Sequence, residues 1–105
     1  MGDHAMKLNE IDLPIQEIGA LCKRYHVREL AVFGSALRTD FGAESDLDLL
    51  VEFEPDAQIG FLALAGMQRE LSELLHVRVD LVPKEGLKPT IRQAVLSSAR
   101  VIYAN

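Results

Sequence analysis

The chain has 105 residues, of which 49% are hydrophobic and 26% are charged, a balance that is typical of one folded domain and argues against disorder. No apolar run approaches the ~20 residues that a helix needs to cross a bilayer. The net charge of −5 argues against a surface that tracks a nucleic-acid backbone. The single cysteine, Cys22, and an N-terminus without a signal-like apolar stretch lead us to expect a cytoplasmic location.

The N-terminal part of the chain predicts a tail followed by a helix. Residues 1–10 show no hydrophobic period, so we expect a flexible tail ahead of a single domain over residues 11–105. Asp12 would cap the helix and Pro14 would lie in its first turn. The apolar stripe of this helix, at spacings of three and four, comprises Ile11, Ile15, Ile18, Cys22 and Tyr25.

The rest of the chain alternates between strand and helix patterns. Strands are predicted for residues 30–33, 47–53 and 77–82, each a short apolar or alternating run. Residues 59–75 carry one broad apolar face and predict a helix. Pro89 would open a last helix with Ile91, Val95 and Ile102 on its inner side. The order α-β-β-α-β-α favours an α+β fold in which a β-sheet packs against helices.

The negative charge is concentrated in one segment. Residues 40–56 contain seven acidic residues and neither lysine nor arginine. A solvated acidic surface would explain such a run, and so would a cation site. Spacing is needed to separate these two interpretations.

Asp46 and Asp48 are two residues apart at the start of a predicted strand, so their carboxylates project from the same face. Carboxylates about 5 Å apart at an effective dielectric of about 20 repel each other by roughly 3 kcal/mol. A divalent cation would remove this cost, and all-oxygen ligands favour Mg²⁺ or Mn²⁺ over zinc. An EF-hand is excluded because Leu50 and Val51 stand where that loop needs an oxygen ligand and a glycine. By itself the pair also fits a strand with one solvated face.

Two more features belong to the same hypothesis. The pair Gly34–Ser35 follows an apolar strand, where backbone N–H groups and a hydroxyl can bind an anion. Asp80 lies between apolar neighbours on another predicted strand, so its carboxylate faces away from the core and could complete a triad with Asp46 and Asp48.

The motif G-S, ten intervening residues, D-x-D and a later strand aspartate resembles the minimal nucleotidyltransferases of the polymerase-β-like superfamily. The resemblance covers roughly residues 12–103 and is carried by VFGSALRTDFGAESDLDLLVEF and VRVDLVPKEGLKPTIRQAVL. It implies a polymerase-β-like fold with a mixed sheet, two Mg²⁺ ions held by Asp46, Asp48 and Asp80, and ATP as a substrate. It also implies that the triphosphate is bound at Gly34, Ser35, Arg38 and Ser45. Leu37 and Thr39 depart from the G-S-x-A-R-G pattern of many members.

The same resemblance implies a partner. Minimal nucleotidyltransferases typically pair with HEPN ribonuclease toxins and act as antitoxins, and some adenylylate a toxin tyrosine. We therefore expect transfer of AMP from ATP to a hydroxyl of such a partner. The alternative is an antitoxin that neutralises by binding alone, through the basic residues Lys84, Lys88 and Arg92 and the apolar end at residues 101–103. A transferase acting on small molecules is less favoured, because no pocket-building extension follows Asn105.

Overall fold

A computed structural model describes residues 5–8, 11–34 and 46–105, with side chains from Leu13 onward. Within these residues the chain forms six strands and three α-helices. The elements in chain order are β1 (Ala5–Leu8), β2 (Ile11–Pro14), α1 (Ile15–Arg24), β3 (Val27–Phe33), β4 (Leu47–Phe53), α2 (Phe61–Leu75), β5 (Val79–Pro83), a 3₁₀ turn (Lys84–Gly86), α3 (Pro89–Ser98) and β6 (Arg100–Ala104). The predicted α+β class is confirmed.

Four strands form a mixed sheet in the order β5-β4-β3-β6. Strand β3 runs antiparallel to both β4 and β6, whereas β4 and β5 are parallel. The parallel pair needs a crossover connection, and helix α2 supplies it. Strands β1 and β2 form a separate antiparallel ladder.

The main core lies between one face of this sheet and helices α1 and α2. Strand β4 contributes Leu47, Leu49 and Val51, all completely buried, because alternate side chains of a strand point to the same face. Met67 and Leu71 of α2 pack into the same cluster. A smaller cluster on the other face contains Ala31, Leu50 and Leu87. The middle of β4 is therefore buried on both sides and anchors the sheet.

Helices α1 and α2, the two main helices, are also joined by a polar contact. Glu70 of α2 accepts hydrogen bonds from the Arg24 guanidinium, at 2.7 Å, and from the Tyr25 hydroxyl. Arg24 and then Tyr25 stabilise the ionised carboxylate, and together they lower the pKa of Glu70. Arg24 is exposed, so this ion pair fixes helix packing only modestly.

After each of helices α1 and α2, the chain passes through a histidine in a left-handed backbone conformation. His26 follows α1 with φ of 59°, and His76 ends α2 with φ of 58°. Such a residue reverses the chain out of a helix, a role more often taken by glycine or asparagine. The two histidines at the helix-to-strand junctions thus have a structural role at the chain reversals.

The N-terminal expectations are wrong in two places. The predicted tail contains strand β1, and residues 11–14, where Asp12 was predicted as the N-cap and Pro14 in the first helical turn, form β2. Proline disfavours the helical conformation in the residue before it, so Leu13 is extended and the helix begins only at Ile15. Asp12 is therefore a strand residue and not the N-cap of α1.

The C-terminal helix is shorter than predicted. Helix α3 ends at Ser98, and Ile91, predicted on its inner side, is 47% exposed. Ile102 lies in β6, where it is 8% exposed and belongs to the main core. Strand β4 has the predicted bounds, whereas β3 begins three residues earlier than expected, at Val27. Helix α2 and strand β5 are confirmed, each with its first residue two positions later than predicted.

Candidate active site

The parallel pairing of β4 and β5 brings two of the three predicted carboxylates together. The register pairs Leu47 with Val79, Asp48 with Asp80 and Leu49 with Leu81. Leu47, Leu49 and Leu81 are buried in the main core, so the aspartates between them project from the opposite face of the sheet. Neighbouring strands lie about 4.8 Å apart, which places Asp48 and Asp80 side by side.

Gly34 lies against the first of these aspartates. It directly follows β3, in which Phe33 pairs with Asp48, and its φ is +75°. A Cβ atom at this position would collide with a carboxylate oxygen of Asp48 and would lie 3.2 Å from its Cγ. The end of β3 can therefore pass this close to Asp48 only because residue 34 has no side chain.

Asp46 forms an ion pair with Arg78, the residue just before β5. The Nε atom of Arg78 lies 3.1 Å from Oδ1 of Asp46. The backbone N–H of Leu47 donates to the carbonyl of Arg78 at 2.8 Å, so the same register continues one step beyond the ladder. The acidic segment contains no basic residue. The charge that offsets the carboxylate of Asp46 comes instead from Arg78, next to the neighbouring strand.

The residues Asp46, Asp48 and Asp80 fit a hard divalent cation in donor chemistry, since each supplies carboxylate oxygens. Two of the three are direct cross-strand partners, and the third is two residues away on the same strand. As the side chains stand, no group of three acidic, histidine or cysteine residues in the described part of the chain is arranged to hold a metal ion. The backbone arrangement meets the requirement, while at least one side chain would have to rotate.

Comparison with known proteins identifies the family of this chain. The family described as "Nucleotidyltransferase domain" matches residues 16–102, which covers both Gly34 and the three aspartates. The chain belongs to this family. It is a nucleotidyltransferase, with the fold that the mixed sheet and its two helices already indicated.

Two further similarities concern small members of the family. The protein adenylyltransferase MntA of Thermococcus cleftensis is 42% identical over 79% of this chain and 80% of its own length. A solved structure described as a minimal nucleotidyltransferase is 40% identical, covers 81% of this chain and 85% of its own, and superposes with a TM-score of 0.68.

A third similarity concerns the fold alone. The structure of a tri-AMPylated Shewanella oneidensis HEPN toxin in complex with an MNT antitoxin has a chain that is 19% identical to this nucleotidyltransferase. The match covers 87% of this chain and 70% of that chain, with a TM-score of 0.63.

Three of the residues predicted to bind the triphosphate lie outside the described part of the nucleotidyltransferase. They are Ser35, Arg38 and Ser45, and Leu37 and Thr39 lie there with them. Gly34 is the one member of this group whose position is described, and it lies against Asp48.

Arg78 is the site residue that the sequence interpretation missed. It stands two residues before Asp80 and projects from the same face, just as Asp46 precedes Asp48. The observed pairing of Asp48 with Asp80 places it beside Asp46, because both residues lie two positions earlier on their own strands. The acidic segment itself contains no neutralising residue, and the contact with Arg78 arises only from pairing between strands that are distant in sequence.

Two of the basic residues after β5, Lys84 and Arg92, have structural partners. Lys84 lies 3.2 Å from Glu52 and 3.8 Å from Glu29, two residues that are cross-strand partners in β3 and β4. Arg92 donates to the carbonyl of Lys84 at 3.1 Å and so fixes the turn before α3. Lys84 thereby offsets the repulsion between two neighbouring glutamates.

Cys22 offers no nucleophile to this nucleotidyltransferase. Its side chain is completely buried in α1, and burial raises the pKa of the thiol to about 12. A thiol with such a pKa stays protonated at neutral pH and is unreactive.

Proposed function

We propose that this nucleotidyltransferase transfers AMP from ATP to a hydroxyl of a partner protein, with release of pyrophosphate and of the hydroxyl proton. The partner is a HEPN-type toxin, which the nucleotidyltransferase neutralises in the cytoplasm. The observation that carries the proposal is the register of β4 and β5, which pairs Asp48 with Asp80 at the point where Gly34 touches Asp48. A carboxylate pair beside a glycine turn is suited to bind a metal–triphosphate complex.

In this proposal Asp46, Asp48 and Asp80 hold two Mg²⁺ ions. When bound, the metal lowers the pKa of the attacking hydroxyl and neutralises the charge that builds up on the phosphates. The protein's own contribution is to hold the three carboxylates on one face and to place the glycine turn beside them. Gly34 and Ser35, together with Arg38 and Ser45, would bind and orient the triphosphate. Little covalent chemistry is needed, because phosphoryl-type transfer depends mainly on positioning and charge neutralisation.

Two similarities support adenosine and a protein acceptor. The relative with 42% identity is named a protein adenylyltransferase. The Shewanella complex contains a toxin that carries AMP groups, bound to an antitoxin with this fold. A hydroxyl side chain is the acceptor that this chemistry requires, and we propose a tyrosine of the partner.

A pair of matched substitutions tests the catalytic claim. Asp48→Asn removes a proposed metal ligand, whereas Asp56→Asn removes an exposed carboxylate of the same acidic segment in the turn after β4. With ATP labelled at the α-phosphate, Mg²⁺ and the HEPN-type partner, we expect Asp48→Asn to lose at least about 100-fold in transfer rate. Asp56→Asn should retain the wild-type rate. Equal rates for both variants and the wild type would overturn the proposal.

A second function, neutralisation by binding alone, is favoured by one observation. Ile91 and Leu96 on α3 and Val101 on β6 are large apolar side chains that remain exposed. If they form a binding surface, a protein carrying both Asp46→Asn and Asp48→Asn would still suppress toxicity of the partner in cells. Loss of suppression by this double variant, with the protein still folded and expressed, would exclude the binding-only function.

A further inference from the structure

The ion pair between Arg78 and Asp46 lies within the proposed metal site. Arg78 is held by its backbone, because its carbonyl accepts the hydrogen bond from Leu47 that extends the β4–β5 pairing. Its side chain is 76% exposed, and that of Asp46 is 53% exposed. The backbone of Arg78 is therefore fixed, and both side chains of the pair are accessible to solvent and to ions.

The contact also bears on the arrangement of the three aspartates. Oδ1 of Asp46 lies 3.1 Å from Nε of Arg78, a hydrogen-bonding distance between opposite charges. Among the described residues, no three potential ligands are arranged to hold an ion. While the pair is intact, the Asp46 oxygen that bonds the guanidinium is not available to a cation.

We propose that Arg78 is an internal counter-ion that holds Asp46 in the metal-free protein and is displaced from it when a divalent cation binds. This inference rests on the proposed function, which assigns Asp46, Asp48 and Asp80 to the metal. In the metal-free state the guanidinium offsets part of the repulsion among the carboxylates. In the metal-bound state Asp46 turns toward Asp48 and Asp80. Arg78 is thus a positioning residue that lowers metal affinity.

The expected effect has a defined sign and size. An exposed ion pair must be broken before Asp46 can bind metal, and a positive charge remains nearby afterwards. Replacing Arg78 by a neutral residue removes both costs, so Arg78→Gln should bind Mn²⁺ about two- to tenfold more tightly than the wild type. Arg78→Lys keeps the charge and should stay close to the wild-type affinity. Arg24→Gln, which breaks the Arg24–Glu70 ion pair between helices α1 and α2, should leave the affinity unchanged.

In the experiment, the intact protein is titrated with Mn²⁺ in the absence of nucleotide. Isothermal titration calorimetry measures the affinity at low and at high salt. The difference between Arg78→Gln and the wild type should shrink at high salt, because exposed charges are screened. Thermal unfolding gives a second readout that a merely structural ion pair would not produce. Arg78→Gln should melt lower than the wild type in EDTA and should gain more from added Mn²⁺.

The outcomes separate this inference from the function on which it rests. If Asp48→Asn binds Mn²⁺ as tightly as the wild type, the aspartates are not the metal site and the proposed function loses its basis. If binding depends on Asp48 but Arg78→Gln binds with equal or lower affinity than the wild type, the counter-ion role alone is wrong.

Discussion

Gly34 is the residue on which the approach of β3 to the aspartates depends. Its left-handed backbone and the closeness of the Asp48 carboxylate are two separate reasons why a side chain is not tolerated there. The first is a local conformational preference, and the second is a contact across two strands. Only the first could be anticipated from a glycine in a turn.

Gly34→Ala should therefore reduce both stability and AMP transfer. We expect a loss of about 1–3 kcal/mol in the free energy of unfolding from backbone strain, and more if Asp48 cannot move aside. Transfer should fall at least about tenfold, because the displaced carboxylate no longer meets the metal. Urea denaturation and the labelled-ATP assay measure the two effects.

Gly60→Ala is the matched control for that substitution. Gly60 precedes α2 with φ of −85°, and a Cβ there meets nothing within 4 Å. The free energy of unfolding should change by less than about 1 kcal/mol. Full transfer activity in Gly34→Ala would contradict the close approach between Gly34 and Asp48.

The residues of the site differ in how far the sequence could predict them. Asp80 was predictable, because alternation with buried Val79 and Leu81 fixes the face from which it projects. The pairing of Asp80 with Asp48 was not, since parallel register depends on packing across a crossover helix. Arg78 was missed for the same reason: its partner Asp46 is close only once the two strands are aligned.

Strand β6 shows how an element can depend on its partner. Its sequence has no strong alternation, yet β6 pairs with β3 and delivers Ile102 to the main core.

At the end of helix α3, just before β6, Ser97 and Ser98 donate side-chain hydrogen bonds back to the carbonyl of Ala94. Such bonds are typical of serines in the last turn of a helix.

Substitutions at two adjacent residues of β6 should distinguish how much its buried and its exposed side chains contribute to stability. Ile102 is 8% exposed and Val101 is 49% exposed, so the two neighbours project to opposite sides. Ile102→Ala should lower the free energy of unfolding by about 2–4 kcal/mol, since it leaves a cavity in the core. Val101→Ala should cost less than about 1 kcal/mol. Equal costs in chemical denaturation would show that β6 does not seal the core.

The elements that the sequence misassigned lie at the two ends of the chain. Ile11 fits a helical spacing with Ile15 and Ile18, but its segment pairs with β1 instead. Ile102 likewise fits the last helix by spacing and lies in a strand. Hydrophobic spacing reports that a residue is buried, and short segments satisfy helix and strand periods equally well. Strand β4 and helix α2, with 7 and 15 residues, are longer, so their periods were decisive.

At the scale of the whole molecule, one cluster of buried side chains draws on β2 to β6 and on both main helices. No subset of these elements has a comparable core of its own. The second cluster, around Leu50, shares strand β4 with the first and cannot come apart from it without exposing the sheet.

The protein should therefore unfold in a single cooperative step. For a chain of this length we expect an unfolding enthalpy of about 60–80 kcal/mol near 60 °C. Differential scanning calorimetry should give equal calorimetric and van't Hoff enthalpies. A separate low-temperature transition, or a calorimetric enthalpy well above the van't Hoff value, would show that the domain is not one folding unit.

The register of β4 and β5 makes correct folding and correct assembly of the site a single event. Moving β5 by one residue along β4 would turn Asp80 into the core and Leu81 onto the open face, since successive side chains of a strand alternate. A misaligned site would thus carry the full cost of burying a carboxylate and exposing a leucine. A chain in which the two aspartates are misaligned would therefore fail to fold stably, rather than fold into a protein with poor catalytic activity.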